Sequence, residues 1–236
     1  MALIVEGLKK SYGSLKVLDG VTFSVDEGEF LCIIGESGCG KTTILKIMAG
    51  IEKADSGRIV FDSGGGIGFV FQDDRLLPWK TVYENVMFAV KATGLEVNTQ
   101  AVREIIDLVG LSGFEDYYPK QLSGGMRQRV GIARALAVQP DLLLMDEPFA
   151  SLDARTRERM QEELLRIVGG KTVVFVTHSI DEALFLADRI VIFSPRPARV
   201  VRTVEVGLPK PRDRASQEFA ELRGELYRSF DLYGRK

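Results

Sequence analysis

A short apolar strand that runs into a glycine-rich turn and then a helix constrains this chain more than any other feature. Leu31-Cys32-Ile33-Ile34 leads directly into Gly35-Glu36-Ser37-Gly38-Cys39-Gly40-Lys41-Thr42, a complete G-x-x-x-x-G-K-T phosphate loop. Gly35, Gly38 and Gly40 let backbone N–H groups wrap phosphate oxygens at a helix N-terminus. Lys41 reaches the β- and γ-phosphates, the Thr42 hydroxyl is placed to ligate Mg2+, and Thr43 continues the helix beside the α-phosphate. A glycine turn before an ordinary helix is the bland alternative. The strand in front of the loop argues against it.

The rest of the chain supplies a sheet for that loop. Leu3–Leu8, Val21–Val25 and Phe30–Ile34 read as strands, as do Arg58–Phe61 and Gly68–Phe71, with Asp62-Ser63-Gly64-Gly65-Gly66 read as a tight hairpin turn between the last two. From Val82 to Val138 the pattern is helical. After Pro140 it alternates again: strand Leu142–Met145, helix 154–168, strand Val173–Thr177, helix 180–187 and strand 189–194. Strands alternating with helices predict an α/β fold with a mostly parallel sheet covered on both faces. Phe219, Leu222, Leu226 and Phe230 recur at helical spacing, so 215–230 reads as an amphipathic helix packed on its own domain.

Polar residues follow the apolar strands in a consistent way. Gln72 follows Gly68–Phe71, Asp146-Glu147 follow Leu142–Met145, and His178 follows Val173–Thr177. Open α/β sheets bind ligands at the carboxyl ends of their strands. Beside a phosphate loop, the acidic pair reads as a metal ligand, Asp146, and a general base for water, Glu147. His178 is the single histidine of the chain. A second anion site lies at Leu122-Ser123-Gly124-Gly125-Met126-Arg127-Gln128-Arg129, where Ser123 is an N-cap and Ser123 Oγ with the N–H groups of Gly124 and Gly125 points to an anion. Arg127 and Arg129 read either as surface charge or as added positive potential. Two helix starts that face the same way do not enclose one nucleotide. Two copies placed head to tail put one of each on either side of a triphosphate.

Composition limits the remaining classes. With 236 residues and 45% hydrophobic content the chain can bury a core. A net charge of −2 gives no nucleic-acid footprint. No apolar run reaches the length of a membrane helix, and the first residues lack a signal-peptide pattern. The expectation is a cytosolic protein that, if it works at a membrane, docks there through a partner. Cys32 and Cys39 do not form a disulfide framework.

Together these motifs resemble the ATP-binding cassette (ABC) family, with every nucleotide motif in family order from Leu3 to about Val206. The resemblance implies a P-loop NTPase, RecA-like core with an N-terminal antiparallel β subdomain (1–81, with the phosphate loop), an inserted helical subdomain (82–139), the remainder of the core (140–206) and a helical tail (207–236). It implies ATP and Mg2+ as ligands. It implies Tyr12 stacked on adenine, Gln72 as the glutamine sensing Mg2+ and γ-phosphate, Asp146 on Mg2+, Glu147 as base, His178 as the γ-phosphate switch residue, and Asp153 in the loop that crosses to a second subunit. The partners implied are a second copy in an ATP sandwich, a transmembrane permease contacted through 72–79, and indirectly an external solute-binding protein. That would place the chain at the cytoplasmic face of a membrane. Asp73-Asp74-Arg75-Leu76-Leu77-Pro78-Trp79, Thr177–Asp188 and Ser194-Pro195-Arg196-Pro197 are similar to importers of the nitrate, sulfonate and taurine group. An exporter or lipoprotein-release ATPase, or a non-transport structural member, uses the same nucleotide motifs and stays open.

Overall fold

The computed structural model describes residues 3–61, 66–94 and 98–234. The elements begin with β1 (Leu3–Tyr12), β2 (Leu15–Val25), β3 (Phe30–Ile34), α1 (Lys41–Met48) and β4 (Ser56–Phe61). There follow β5 (Ile67–Val70), α2 (Val82–Ala92), α3 (Thr99–Leu108), a 3-10 turn at Pro119–Gln121, α4 (Gly124–Leu136), β6 (Leu142–Asp146) and α5 (Ala154–Ile167). The chain closes with β7 (Thr172–Thr177), α6 (Ile180–Leu186), β8 (Arg189–Phe193), β9 (Val200–Glu205) and α7 (Gln217–Gly234). These elements form two compact units, residues 1–63 with 170–236, and residues 64–169.

In the first unit, β1 pairs antiparallel with both β2 and β4. β3 lies between β7 and β8, parallel to each, and β9 closes the edge antiparallel to β8. Every residue of β3 and β7 is buried, as expected of parallel strands covered on both faces. The phosphate loop therefore leaves a rigid strand, and His178 leaves the neighbouring one. Helix α7 buries Phe219 and Leu226 and packs on α6, the intramolecular arrangement expected from its apolar stripe.

In the second unit, β5 and β6 pair parallel, Ile67 opposite Leu142 through Val70 opposite Met145. Helix α4 packs on β5, α2 and α3. Each helix start is chemically marked. Thr81 and Glu84 close a capping box on α2, Asn98 caps α3, Ser123 caps α4 and Asp153 caps α5. Such caps satisfy N–H groups that a first turn leaves open.

Two expectations need correction. Arg58–Phe61 and Gly68–Phe71 are not the arms of a hairpin: β4 pairs with β1, and β5 pairs with β6. The intervening glycines suggested a tight turn, but long-range pairing decides strand partnership; residues 62–65 themselves lie outside the described set. Strand β9 was not foreseen, because Arg202 and Glu205 break its apolar pattern with charge, as an edge strand tolerates.

Candidate functional site

The phosphate loop is a finished cradle. A Cβ at Gly40, where φ is +124°, would lie 2.9 Å from Leu18 Cδ2, and one at Gly35 would lie 2.8 Å from Cys39 Sγ. Neither position accepts a side chain without moving its neighbours, so the loop packs directly on β2 at Gly40 and on Cys39 at Gly35. Lys41 is buried, and its ammonium donates to the Gly35 carbonyl at 2.8 Å and the Glu36 carbonyl at 3.0 Å. These bonds hold the cation over the loop in advance. Glu36, Ser37 and Gly38 are exposed at the tip, and Thr42 and Thr43 are half-buried in the first turn of α1. Cys39 fills the space beneath the loop, and burial pushes its thiol above the ordinary range. Cys32 is shifted further in the same direction by complete burial. Both are packing residues.

In the same unit, Tyr12 is exposed at the end of β1, with the Lys10 ammonium 5.2 Å from its ring centroid. Its phenol is raised, first by burial and then by a hydrogen bond to Glu52, which also pairs with Lys10 at 3.1 Å. The ring is thus steadied by Lys10 and Glu52, neither of which the sequence singled out. His178 is exposed immediately beyond the buried end of β7.

The second unit carries the other motif residues. Asp146 is buried as the last residue of β6. Glu147 follows at φ +44°, a left-handed backbone that costs a non-glycine residue about 1–3 kcal/mol. The strained turn lifts Glu147 off the strand line. Gln72 is exposed just beyond β5. Among the described residues no group of three or more His, Cys, Asp or Glu is placed to hold an ion. Taken each within its own unit, the Asp146 carboxylate and the Thr42 hydroxyl are oxygen donors of the kind a small hard ion such as Mg2+ takes.

Ser123 starts α4 with φ −66° and ψ 164°, and its Oγ accepts from the Met126 N–H at 3.3 Å. The start of α4 opens on a cavity of about 460 Å³ whose lining includes Ser123, Gly125, Ser151, Asp153, Thr156 and Arg159. Asp153 accepts from Thr156 N–H at 3.1 Å, and hydrogen bonding from Thr156 holds its carboxyl below the usual range. The 122–129 segment, termed the signature loop below, and the Asp153 loop thus share one concave surface, a pairing the sequence did not announce. Arg129 is occupied structurally, with Glu163 at 2.6 Å and the Val109 carbonyl at 3.1 Å.

Arg127 also has a structural task. It reaches Asp74 Oδ2 at 2.8 Å and the Leu122 carbonyl at 3.0 Å, bridging the segment after Gln72 to the residue before Ser123. Arg134 adds bonds to the Asp74 and Arg75 carbonyls at 3.0 and 2.8 Å. Buried Asn85 binds both the N–H and carbonyl of Leu77, at 2.8 and 3.2 Å. The 73–80 loop is anchored by these polar groups, while Trp79 is 69% exposed.

The model of the ABC transporter family matches residues 18–150. This chain belongs to the ABC transporter family. An aliphatic sulfonates import ATP-binding protein of Bacillus cereus is 45% identical, over 95% of this chain and 92% of its own length. A taurine import ATP-binding protein of Rhizobium johnstonii is 47% identical, over 91% and 89%. Among solved structures, an ATP-binding cassette in a dimeric, post-hydrolysis state bound to ADP and Pi superposes with a TM-score of 0.76 at 32% identity, covering 88% of this chain and all of that one. As an ABC cassette the protein is a nucleotide-binding ATPase with the α/β fold of its family. No described helix of this ABC protein is long and apolar enough to cross a membrane.

Proposed function

We propose that this cassette is the ATP-hydrolysing subunit of a solute importer and works as a homodimer that closes on two ATP molecules. In this reading Tyr12 stacks on adenine, residues 35–43 hold the phosphates, and Lys41 neutralises charge on the β/γ bridge. Mg2+, with Thr42, Asp146 and Gln72 as its protein contacts, would screen the triphosphate. Glu147 orients and deprotonates the attacking water, and His178 contacts the γ-phosphate. Ser123, Gly124, Gly125 and Asp153 come from the other copy.

The observation that supports this best is the cavity at the start of α4. There a capped helix N-terminus with two glycines, a start suited to an anion, opens on a concave surface whose other side is the Asp153 loop. Segment 72–79, anchored by Asn85, Arg127 and Arg134, is the proposed seat for a permease helix, with Trp79 outward. The chain would then sit at the cytoplasmic face of the membrane, and an external solute-binding protein would act through the permease. The helical block 82–139 is proposed as the subdomain that carries the signature loop.

The named activities of the relatives favour an organic sulfonate, taurine or a similar small oxyanion such as nitrate as the solute. Cells lacking this chain should lose uptake of one of these and regain it with the parent chain but not with Glu147→Gln. Normal uptake of all three without the chain would reject the importer reading. Equal rescue by Glu147→Gln would reject the assigned role of Glu147.

A further inference from the structure

The turn that presents His178 is tied on both sides by one hydroxyl. Thr177, 1% exposed at the end of β7, donates from Oγ1 to Glu182 Oε2 at 2.5 Å. The same Oγ1 accepts from the Ser179 N–H at 3.0 Å. Ser179 Oγ in turn accepts from the Glu182 N–H at 3.2 Å. Residues 177, 179 and 182 form a closed ring of hydrogen bonds, and His178 is the exposed residue it spans.

An ordinary capping box does not need this arrangement. Ser179 is the N-cap of α6 and Glu182 occupies the third helical position, the S-x-x-E pattern in which the glutamate accepts directly from the cap residue's N–H. Here the Thr177 hydroxyl stands between them. It accepts from the Ser179 N–H and donates its own O–H to Glu182. The cap therefore extends backward across His178 into the sheet. Glu182 is buried at 6% exposure, and a buried carboxylate is costly unless its oxygens are bonded.

The other end of α6 is also fixed. Buried Arg212 donates to the Leu184 and Phe185 carbonyls at 2.9 and 3.0 Å. On the outer face of α6, Asp181 accepts from the Tyr227 phenol of α7 at 3.1 Å. With α6 also bonded at its far end and on one face, the Thr177–Glu182 bond ties the residues on either side of His178 to an anchored helix.

We propose that Thr177 and Glu182 are positioning residues for His178: they touch no nucleotide, and they set where the imidazole stands when the γ-phosphate arrives. This rests on the reading that His178 serves hydrolysis. Misplacing a reacting group by about 1 Å costs up to about 10²-fold in rate, so a loosened turn should lower kcat without weakening ATP binding.

Because the chain has one histidine, its imidazole can be followed alone. The experiment compares the parent, Thr177→Val and Thr177→Ser by proton NMR of the histidine ring and by steady-state ATPase. Valine removes the hydroxyl at nearly constant volume and lets Glu182 take the Ser179 N–H directly, as a normal capping box. The helix start survives and only the tie across His178 is lost. Expected for Thr177→Val are a shifted or broadened imidazole resonance and a kcat lower by about tenfold or more, with KM for ATP within about twofold. Serine should restore both. An unmoved resonance in Thr177→Val overturns the proposal. A moved resonance with unchanged kcat upholds the positioning and overturns the role of His178 in hydrolysis. Glu182→Met, which removes the acceptor at similar volume, gives the same two readouts if the valine chain fails to fold.

Discussion

Ser123 carries two loads that one set of substitutions separates. Its Oγ accepts from Met126 N–H and so caps α4, while its own O–H proton is available to an anion at the mouth of the signature cavity. Removing an N-cap costs about 1 kcal/mol. For a chain of 236 residues the unfolding entropy is about 0.5 kcal/mol/K, so Ser123→Ala should lower Tm by only about 2 °C. Losing a donor to developing charge on a phosphate costs about 10²–10³ in rate. Ser123→Ala should therefore be nearly as stable as the parent and almost inactive. Ser123→Asp distinguishes the causes. Aspartate caps as well as serine, so Tm should return, yet it has no proton to donate and adds negative charge, so activity should stay lost. Differential scanning calorimetry and phosphate release measure the two. ATPase that tracks Tm across the three chains, high in Asp and low in Ala, would show that Ser123 matters only as a cap.

Other outcomes follow from the same geometry. Burial raises the Cys39 thiol, so below its raised pKa it stays protonated, and reactive thiolate grows only as pH climbs toward that value. At pH 7 iodoacetamide should label folded chain at least about tenfold more slowly than free cysteine, with mass spectrometry as the readout; labelling at the free-thiol rate would contradict the packing role. Glu147→Gly should relieve the backbone at φ +44°. Relief of about 1–3 kcal/mol against a glycine entropy cost of about 0.5–1 kcal/mol leaves Tm unchanged or raised while hydrolysis is lost; a marked drop in Tm would mean the turn is not strained. Tyr12 stacking reads no hydrogen-bond edge of the base and adds only about 0.5–1.5 kcal/mol beyond area. GTP should accordingly be hydrolysed, less well than ATP, and a preference above about a thousandfold would refute adenine recognition by stacking alone.

The parts legible in the sequence were those with a local signature. The phosphate loop, Asp146-Glu147 after an apolar run, and Ser123 as a cap each depend on a few consecutive residues, and the structure puts each at the end of its expected strand or start of its helix. What escaped depends on partners far along the chain. Nothing local to Arg58–Phe61 says that its neighbour is β1. Arg127 was left between surface charge and added potential, because its partner Asp74 lies 53 residues away. A lone tryptophan in a loop gives no local sign of which way it faces; Asn85 and two arginines anchor the loop and the Trp79 ring is exposed. Glu182 sits in a recognisable capping pattern, and only the burial of its carboxylate on Thr177 shows a second task.

The central claim, that a signature loop completes the nucleotide site of a second copy, is tested most directly by light scattering of Glu147→Gln with and without Mg-ATP. The account predicts a 26.1 kDa monomer without nucleotide and a species of twice that mass with it, and predicts that adding Ser123→Asp leaves ATP bound to a monomer. Glu147→Gln that binds ATP tightly and stays at the monomer mass, or a double variant that still dimerises with ATP, would contradict it.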